Sequence, residues 1–418
     1  MTRTGVPAIG ESVDEFGLRA RAWLAANMPR IDRDHPPRTR LDEDASWQRA
    51  RELQKRLYDG GFAGICFPRE YGGLGLTIEY QKVFNAESSG YEMPLILNIP
   101  SLTICCATLL DVGSEEQKRS HISAALRGEE VLAQMLSEPS GGSDLAGVTT
   151  RADRRGDSWV INGAKTWSTS AFAADYCLCL VRTDWNVPKH EGLTMFLLPV
   201  NHPGVTLRRI AMINGSSEFC EEFLDDVELP DHAVVGGVGN GWKVASRQLI
   251  HERRAMGRSS EFSSGMEGDD AEAAPIDYRE LAARTGQVAD ARVAEMSGRA
   301  LAYRAVAEHL ADHVYRGVRD GSMPAAAGSI TRLFYADAAQ LELDTATAIA
   351  STGAVVGDDA ALFDVGKRYL ERQIVSLGGG STEIARNIIA ERVLDFPREY
   401  AADRGVPFNQ VRRGGGSA

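Results

Sequence analysis

Apolar positions change their spacing twice along the chain. From about residue 10 to 132 they recur at helical intervals: Leu18, Ala22 and Leu24 open one face, and Trp47, Leu53, Leu57 and Phe62 continue it. A turn-rich loop, Pro68–Gly75, interrupts this texture. The uncharged stretch Met93–Leu110 is long enough to raise the question of a membrane span. It carries Pro94, Asn98, Pro100, Ser101, Thr103 and Thr108, which predicts a buried helix preceded by a loop.

From about 133 to 235 the period shortens towards two. Trp159–Ile161 and Ala164–Trp167 flank Asn162-Gly163, the signal of a hairpin with a type I′ turn. Tyr176–Val181, Leu193–Val200 and Val205–Ile210 read as further short strands of a small antiparallel β domain. Helical spacing returns from Trp242 to about Val393, broken by an acidic, Gly/Ser-rich segment, Ser259–Ala274, predicted to be a flexible loop. Asp290–Val314, Ser329–Ala350 and Gly366–Ser376 suggest an antiparallel bundle. The expected fold class is therefore α+β. An N-terminal helical domain covers 1–132, a middle β domain 133–240 and a C-terminal helix bundle 241–400. A tail follows over 401–418, disordered from Arg413.

Composition narrows the partners. The chain has 418 residues, with 46 basic and 58 acidic side chains and a net charge of −12. That balance argues against nucleic acid, which needs a basic surface, but leaves room for one phosphorylated small molecule. No apolar run follows Met1–Gly5, so a cytoplasmic location is expected. None of the six cysteines forms a C-x-x-C pair, and they read as core thiols. His309 and His313 share a helical face without a third ligand, so no metal site is predicted.

Three segments carry candidate chemistry. Leu136–Asp144 places small and hydroxyl-bearing residues around Pro139, Gly141 and Gly142, where backbone amides can approach a flat or phosphorylated ligand. Lys165–Ser170 sets Trp167 beside Ser168 and Thr169, a combination able to stack on an aromatic group and bond its polar edge. Gly378–Gly380 feed a helix capped by Ser381 or Thr382, with Glu383 in its first turn. Each alone is equally compatible with an ordinary turn, strand end or loop-to-helix junction.

In this order and at these separations the three segments resemble the acyl-CoA dehydrogenase family of FAD flavoenzymes, in particular its bacterial branch. Pro68–Gly75, Gly113–Lys118, Phe219–Val227 and Asn387–Leu394 extend the likeness over nearly the whole chain. The resemblance implies removal of two hydrogens from an acyl-CoA to give the trans-2-enoyl-CoA. A carboxylate takes the Cα proton and flavin N5 takes the Cβ hydride. It also implies that Gln134, Leu136 and Ser137 line the flavin. Trp167, Ser168 and Thr169 would pack on its ring and N5 edge, with Ser381 and Glu383 at FAD and Ser143 at CoA. An electron-transfer flavoprotein or similar acceptor and a homo-oligomer (dimer or tetramer) follow from the same likeness, with a hetero-oligomer as an option.

In much of the family the catalytic Glu directly precedes the Gly-Thr of the last motif. Here that position is Gly379, which has no side chain. Trp242, Ala245, Leu249, Glu252 and Met256 fall at spacings of 3, 4, 3 and 4, one stripe of a helix. An acid on an apolar stripe is costly unless paired or functional, and desolvation raises its pKa towards that of a general base. His251-Glu252-Arg253 also resembles the alternative base position of the long-chain and isovaleryl members, which makes Glu252 the expected base and Arg253 its electrostatic support. The competing reading of Glu252 is a structural ion pair with a nearby arginine. The Gly379 N–H would polarise the thioester carbonyl.

The chain departs from the pattern at the adenosine end of FAD. It has no clear Arg-x-x-Phe-Gly segment, and Ser351–Ala354 stands where a Gly-Gly-x-Gly run is usual. Two alternatives keep the fold: a non-catalytic or half-site partner of a heteromeric dehydrogenase, and an acyl-CoA oxidase.

Overall fold

Helix α1 (Val13–Asn27) starts where Ser12 and Glu15 form a reciprocal capping box. Its buried face is Phe16, Gly17, Ala20 and Leu24, whereas Leu18 is 63% exposed and Ala22 is also exposed. The expected face is thus rotated: Phe16, absent from the sequence-predicted set, is the anchor, stacked edge-on against Phe62 and Tyr80. Helices α2 (Asp44–Asp59) and α3 (Ile78–Ser88) complete this layer. Trp47, Leu53, Leu57 and Phe62 are buried as the periodicity predicts.

The structure, a computed structural model, describes residues 10–32, 41–256, 260–265 and 275–411. Most of the predicted loop Ser259–Ala274 and the end from Arg413 lie outside them. The chain forms two compact units, one of residues 1–211, 216–272 and 402–418, the other of 212–215 and 273–401.

In the first unit, the apolar stretch after Met93 folds as a short turn and a kinked helical run ending in α4 (Ala107–Val112). Leu95–Val112 has the length and composition of a membrane span, yet it is mostly buried, with Leu102, Cys105 and Leu109 in the protein core. The strands are β1 (Leu132–Met135), β2 (Arg151–Arg155), β3 (Ser158–Thr169), β4 (Tyr176–Arg182), β5 (Leu193–Pro199), β6 (Val205–Arg209), β7 (Phe219–Pro230) and β8 (Val234–Val235). They pair in the order β6-β7-β3-β2-β4-β5-β8. Pairing is antiparallel except that β1 and β2 run parallel to β4, which corrects the all-antiparallel expectation.

The predicted hairpin at Asn162-Gly163 does not form. β3 runs straight through it, with a register shift against β7 between Ile161 and Gly163. Asn162 spends its amide on Asp226, giving and receiving hydrogen bonds of 3.0 and 2.9 Å, which holds the bulge in the sheet. Gly163, at φ +151°, lies so close to Thr150 that a Cβ would come within 2.6 Å of its hydroxyl. Gly163→Ala is therefore expected to cost about 1–3 kcal/mol, read as a lower denaturation midpoint in urea with an unchanged m-value.

Helix α5 (Gly241–Met256) belongs to the first unit, as does the chain after residue 402. There Phe408 is buried under the Arg182 guanidinium, 3.5 Å from the ring centroid, and Pro407 bridges to Pro188. The second unit holds α6 (Tyr278–Arg284), α7 (Ala291–Asp320), α8 (Gly328–Ala350), α9 (Ala360–Glu371) and α10 (Thr382–Arg392). Its core gathers Ala300, Ala346, Ile349, Leu362 and Val365.

Candidate active site

Two chain segments of the first unit are stitched side by side. Beyond β1, the Leu136 carbonyl accepts from Lys165 Nζ at 3.1 Å and the Ser137 carbonyl from the Thr166 amide at 3.0 Å. Glu138 locks the arrangement from within. Its Oε1 accepts from Lys165 Nζ at 3.0 Å and the Thr150 amide at 2.8 Å; its Oε2 accepts the Thr149 amide and hydroxyl. Lys165 is 0% exposed. Burial alone would raise the Glu138 pKa, but Lys165 and the Thr149 and Thr150 donors together hold it below the usual carboxylate range.

At the end of β3 a second bulge falls between Thr166 and Ser168. It leaves Trp167 at φ +64°, a left-handed conformation that costs about 1–3 kcal/mol for a residue of this size. The indole is 54% exposed, edge-on to Phe219, while Thr166 and Ser168 on either side are buried. Ser168 does not share that open face. Strand alternation turns its hydroxyl inward, where it donates to Glu222 Oε2 at 3.0 Å. Thr169 is partly buried, and Ser143 is exposed on the loop after Pro139.

Glu252 stands on the predicted stripe of α5. Ala245 is fully buried and Trp242, Leu249 and Glu252 partly so; the Met256 side chain lies outside the described residues. Gln134 Nε2, from β1, donates to Glu252 Oε2 at 3.2 Å. Burial pushes the Glu252 carboxyl up, against the opposing pull of the Gln134 hydrogen bond and the Arg253 charge. Arg253 itself is exposed. Thus Gln134, Leu136, Ser137, Trp167, Thr169 and Glu252 belong to one folded unit, with Gln134 and Glu252 in direct contact.

In the second unit, Ser381 caps α10, its hydroxyl accepting from the Ile384 amide at 3.3 Å. Glu383 is exposed in the first turn. Gly379 and Gly380 take φ of +69° and +98°, a path that glycine follows without strain. Arg332 of α8 holds this loop by donating to the carbonyls of Gly378, at 2.6 Å, and Gly380, at 3.3 Å.

All three parts of the chain match known domain families. Residues 26–129 match the acyl-CoA dehydrogenase N-terminal domain, 133–227 the middle domain and 239–394 the C-terminal domain. The chain belongs to the acyl-CoA dehydrogenase family. The acyl-CoA dehydrogenase IpdE1 of Mycobacterium tuberculosis is 32% identical over 399 residues, covering 93% of this chain and 99% of its own. FadE29 of the same organism is 30% identical over 86% of this chain and 92% of its own. Among solved structures, the Tcur3481-Tcur3483 steroid ACAD overlays with a TM-score of 0.72 at 26% identity, covering 93% of this chain and 98% of that one.

Membership in the acyl-CoA dehydrogenases makes this chain an oxidoreductase of a flavin-using family, and the first unit fits such a cofactor. A flat ring needs a flat apolar support, and Trp167 is the large side chain that the β3 bulge leaves open. Three anchoring residues of this dehydrogenase escaped the sequence reading. Glu138 lies within the Leu136–Asp144 segment, Arg332 within the predicted helical run Ser329–Ala350, and Arg182 one residue beyond the predicted strand Tyr176–Val181, and the pattern assigns none of them a role. Arg182 is in fact 0% exposed and donates to the carbonyls of Ala146, Val148 and Lys189, shaping the loop that follows Ser143. The available signal was the placement of charge in otherwise apolar strands, Lys165 in β3 and Arg182 in β4.

Proposed function

We propose that this dehydrogenase converts an acyl-CoA thioester to its trans-2-enoyl-CoA, with Glu252 as the base. The observation that carries the reading is the Glu252 carboxyl, raised by burial and aimed at Gln134 beside the segment that leads to Ser137. FAD, when bound, would supply at N5 the acceptor for the Cβ hydride. Gln134, Leu136, Ser137, Trp167 and Thr169 would hold its ring, Ser168 contributing through its backbone, with Ser381 and Glu383 serving the same cofactor and Ser143 meeting CoA.

The chain's own residues supply the proton chemistry. The Cα–H bond breaks as its proton passes to a Glu252 oxygen, and the electron pair becomes the new C=C bond as hydride leaves Cβ. Burial strengthens Glu252 as a base by destabilising its charged form. The Gln134 amide fixes the direction of the carboxylate, and Arg253 tempers its charge. The Gly379 N–H would bond the thioester oxygen and acidify Cα, a type of contact worth about 3–4 kcal/mol in comparable acyl chemistry. Electrons would leave to an electron-transfer flavoprotein, from an enzyme assembled as an oligomer through its C-terminal helices.

The test is anaerobic titration of the purified yellow protein with a panel of CoA thioesters: fatty, branched, aromatic and steroid-derived. The expected result is bleaching of the flavin by one class, with the matching enoyl-CoA as product. The steroid ACAD among the structural relatives is named for two components, which favours a hetero-oligomer as the second reading. A protein that stays colourless with added FAD would assign this chain the non-catalytic role in such a pair. Hydrogen peroxide release in air would instead mark an oxidase.

A further inference from the structure

Glu222 of β7 has no place in the chemistry above, yet it lies on the strand paired beside the one that presents Trp167. It is the register partner of Lys165 across β3 and β7, and it is 0% exposed. One oxygen accepts from Ser168; the other, Oε1, is buried with no hydrogen-bond partner. The nearby Lys165 ammonium is hydrogen-bonded to Glu138 and the Leu136 carbonyl. A lone carboxylate in this position would cost several kcal/mol, so the group is driven to hold its proton. Within electrostatic reach of Glu222 lie three thiols and one further acid: Cys177 and Cys179 on β4, Cys220 and Glu221 on β7. Arg209 of β6 is the register partner of Cys220, and Leu207 that of Glu222.

We propose that Glu222 is a positioning and potential-setting residue for the flavin site: an uncharged carboxyl that fixes Ser168 beside the Trp167 bulge and keeps negative charge away from the reduced cofactor. The inference rests on the flavin reading proposed above. Reduction would add negative charge at the flavin site, and an ionised, buried carboxyl on the neighbouring strand would oppose that charge across a low-dielectric interior. Burial pushes the Glu222 carboxyl up to about 8, with Ser168 and Lys165 pulling down and Glu221 pushing up. The neighbouring thiols stay neutral through this range, since burial lifts Cys220 to about 11, Cys179 to about 12 and Cys177 well above its ordinary value.

The experiment compares wild type, Glu222→Gln and Ser168→Ala in two measurements. The first is thermal stability between about pH 5 and 9. A native carboxyl that keeps its proton after the unfolded chain has lost it makes wild type lose stability as pH rises, levelling off beyond the native value. The midpoint advantage of Glu222→Gln should therefore widen with pH and flatten near pH 8. The second is the midpoint potential of the bound flavin. Wild type and Glu222→Gln should coincide in acid, then separate as wild type shifts to lower potential. Ser168→Ala should move that inflection to higher pH, because it removes a hydrogen bond favouring the ionised form. A pH-independent stability gap overturns the uncharged carboxyl, and parallel potential curves overturn the tuning role. A protein that binds no flavin overturns the proposed function and the tuning role together; the stability gap remains a separate measure of the buried proton.

Discussion

Glu252→Gln should abolish substrate-driven bleaching while leaving flavin bound. The amide keeps the shape of the side chain and can still meet Gln134 Nε2 through its oxygen, so the fold and cofactor contacts are retained. It cannot accept a proton. Loss of a general base typically costs 10²–10⁴-fold in rate, and in the proposed mechanism Glu252 takes the proton whose removal starts the reaction, so a loss at or beyond the upper end of about 10⁴ is expected. Stopped-flow absorbance decides it, and an undiminished rate would move the base elsewhere. The pH dependence carries a second signature. In the proposed mechanism the reductive step needs ionised Glu252, so its rate should climb with pH through a value above the ordinary carboxylate range, because burial raises this group. Gln134→Leu, which removes the hydrogen bond that lowers the pKa, should push the rising limb to higher pH still.

The second large effect concerns stability. Glu138→Gln leaves the Lys165 ammonium fully buried without its counter-charge and weakens the hold on the Thr149 and Thr150 amides. Breaking a buried pair from one side costs about 3–5 kcal/mol. Denaturant unfolding should show a loss of that size, and Lys165→Met in the same chain should recover part of it, a non-additivity that a double-mutant cycle reads directly. The pair also sets an acid limit. Because the folded-state pKa of Glu138 is depressed, its stabilisation is complete above the unfolded carboxylate value and disappears as pH falls through the lower, folded one. The segment it anchors includes Leu136 and Ser137, so the same variant should weaken flavin binding.

Where the sequence reading succeeded, a local rule decided the outcome. The period of apolar residues located β4, β5 and β6 to within a residue, and the 3-4-3-4 stripe placed Glu252 on the inner side of α5 beside a polar partner from β1. Asn162-Gly163 failed because the same dipeptide satisfies two geometries. Only the flanking strands, with Asp226 and Thr150 in reach, select a bulge over a turn. The side chains of Trp167 and Ser168, grouped by the motif, face different environments because strand alternation turns one outward and the other inward. Phe16 was missed because the exposed Leu18 mimics a core position. Glu138, Arg182 and Glu222 depend on partners far away in sequence, a kind of information that spacing does not carry.

The chain re-enters the first unit after residue 401, and the mooring of Phe408 under Arg182, with Lys189 bonded to Asp403 at 2.6 Å, has a topological meaning. Residues 273–401 are an insert fastened at both ends. When that helical insert melts while its host stays folded, it becomes a closed loop rather than a dangling tail, and a loop has fewer conformations to gain. A clasp of a few side chains on the β domain thereby restrains the disorder available to helices elsewhere in the chain.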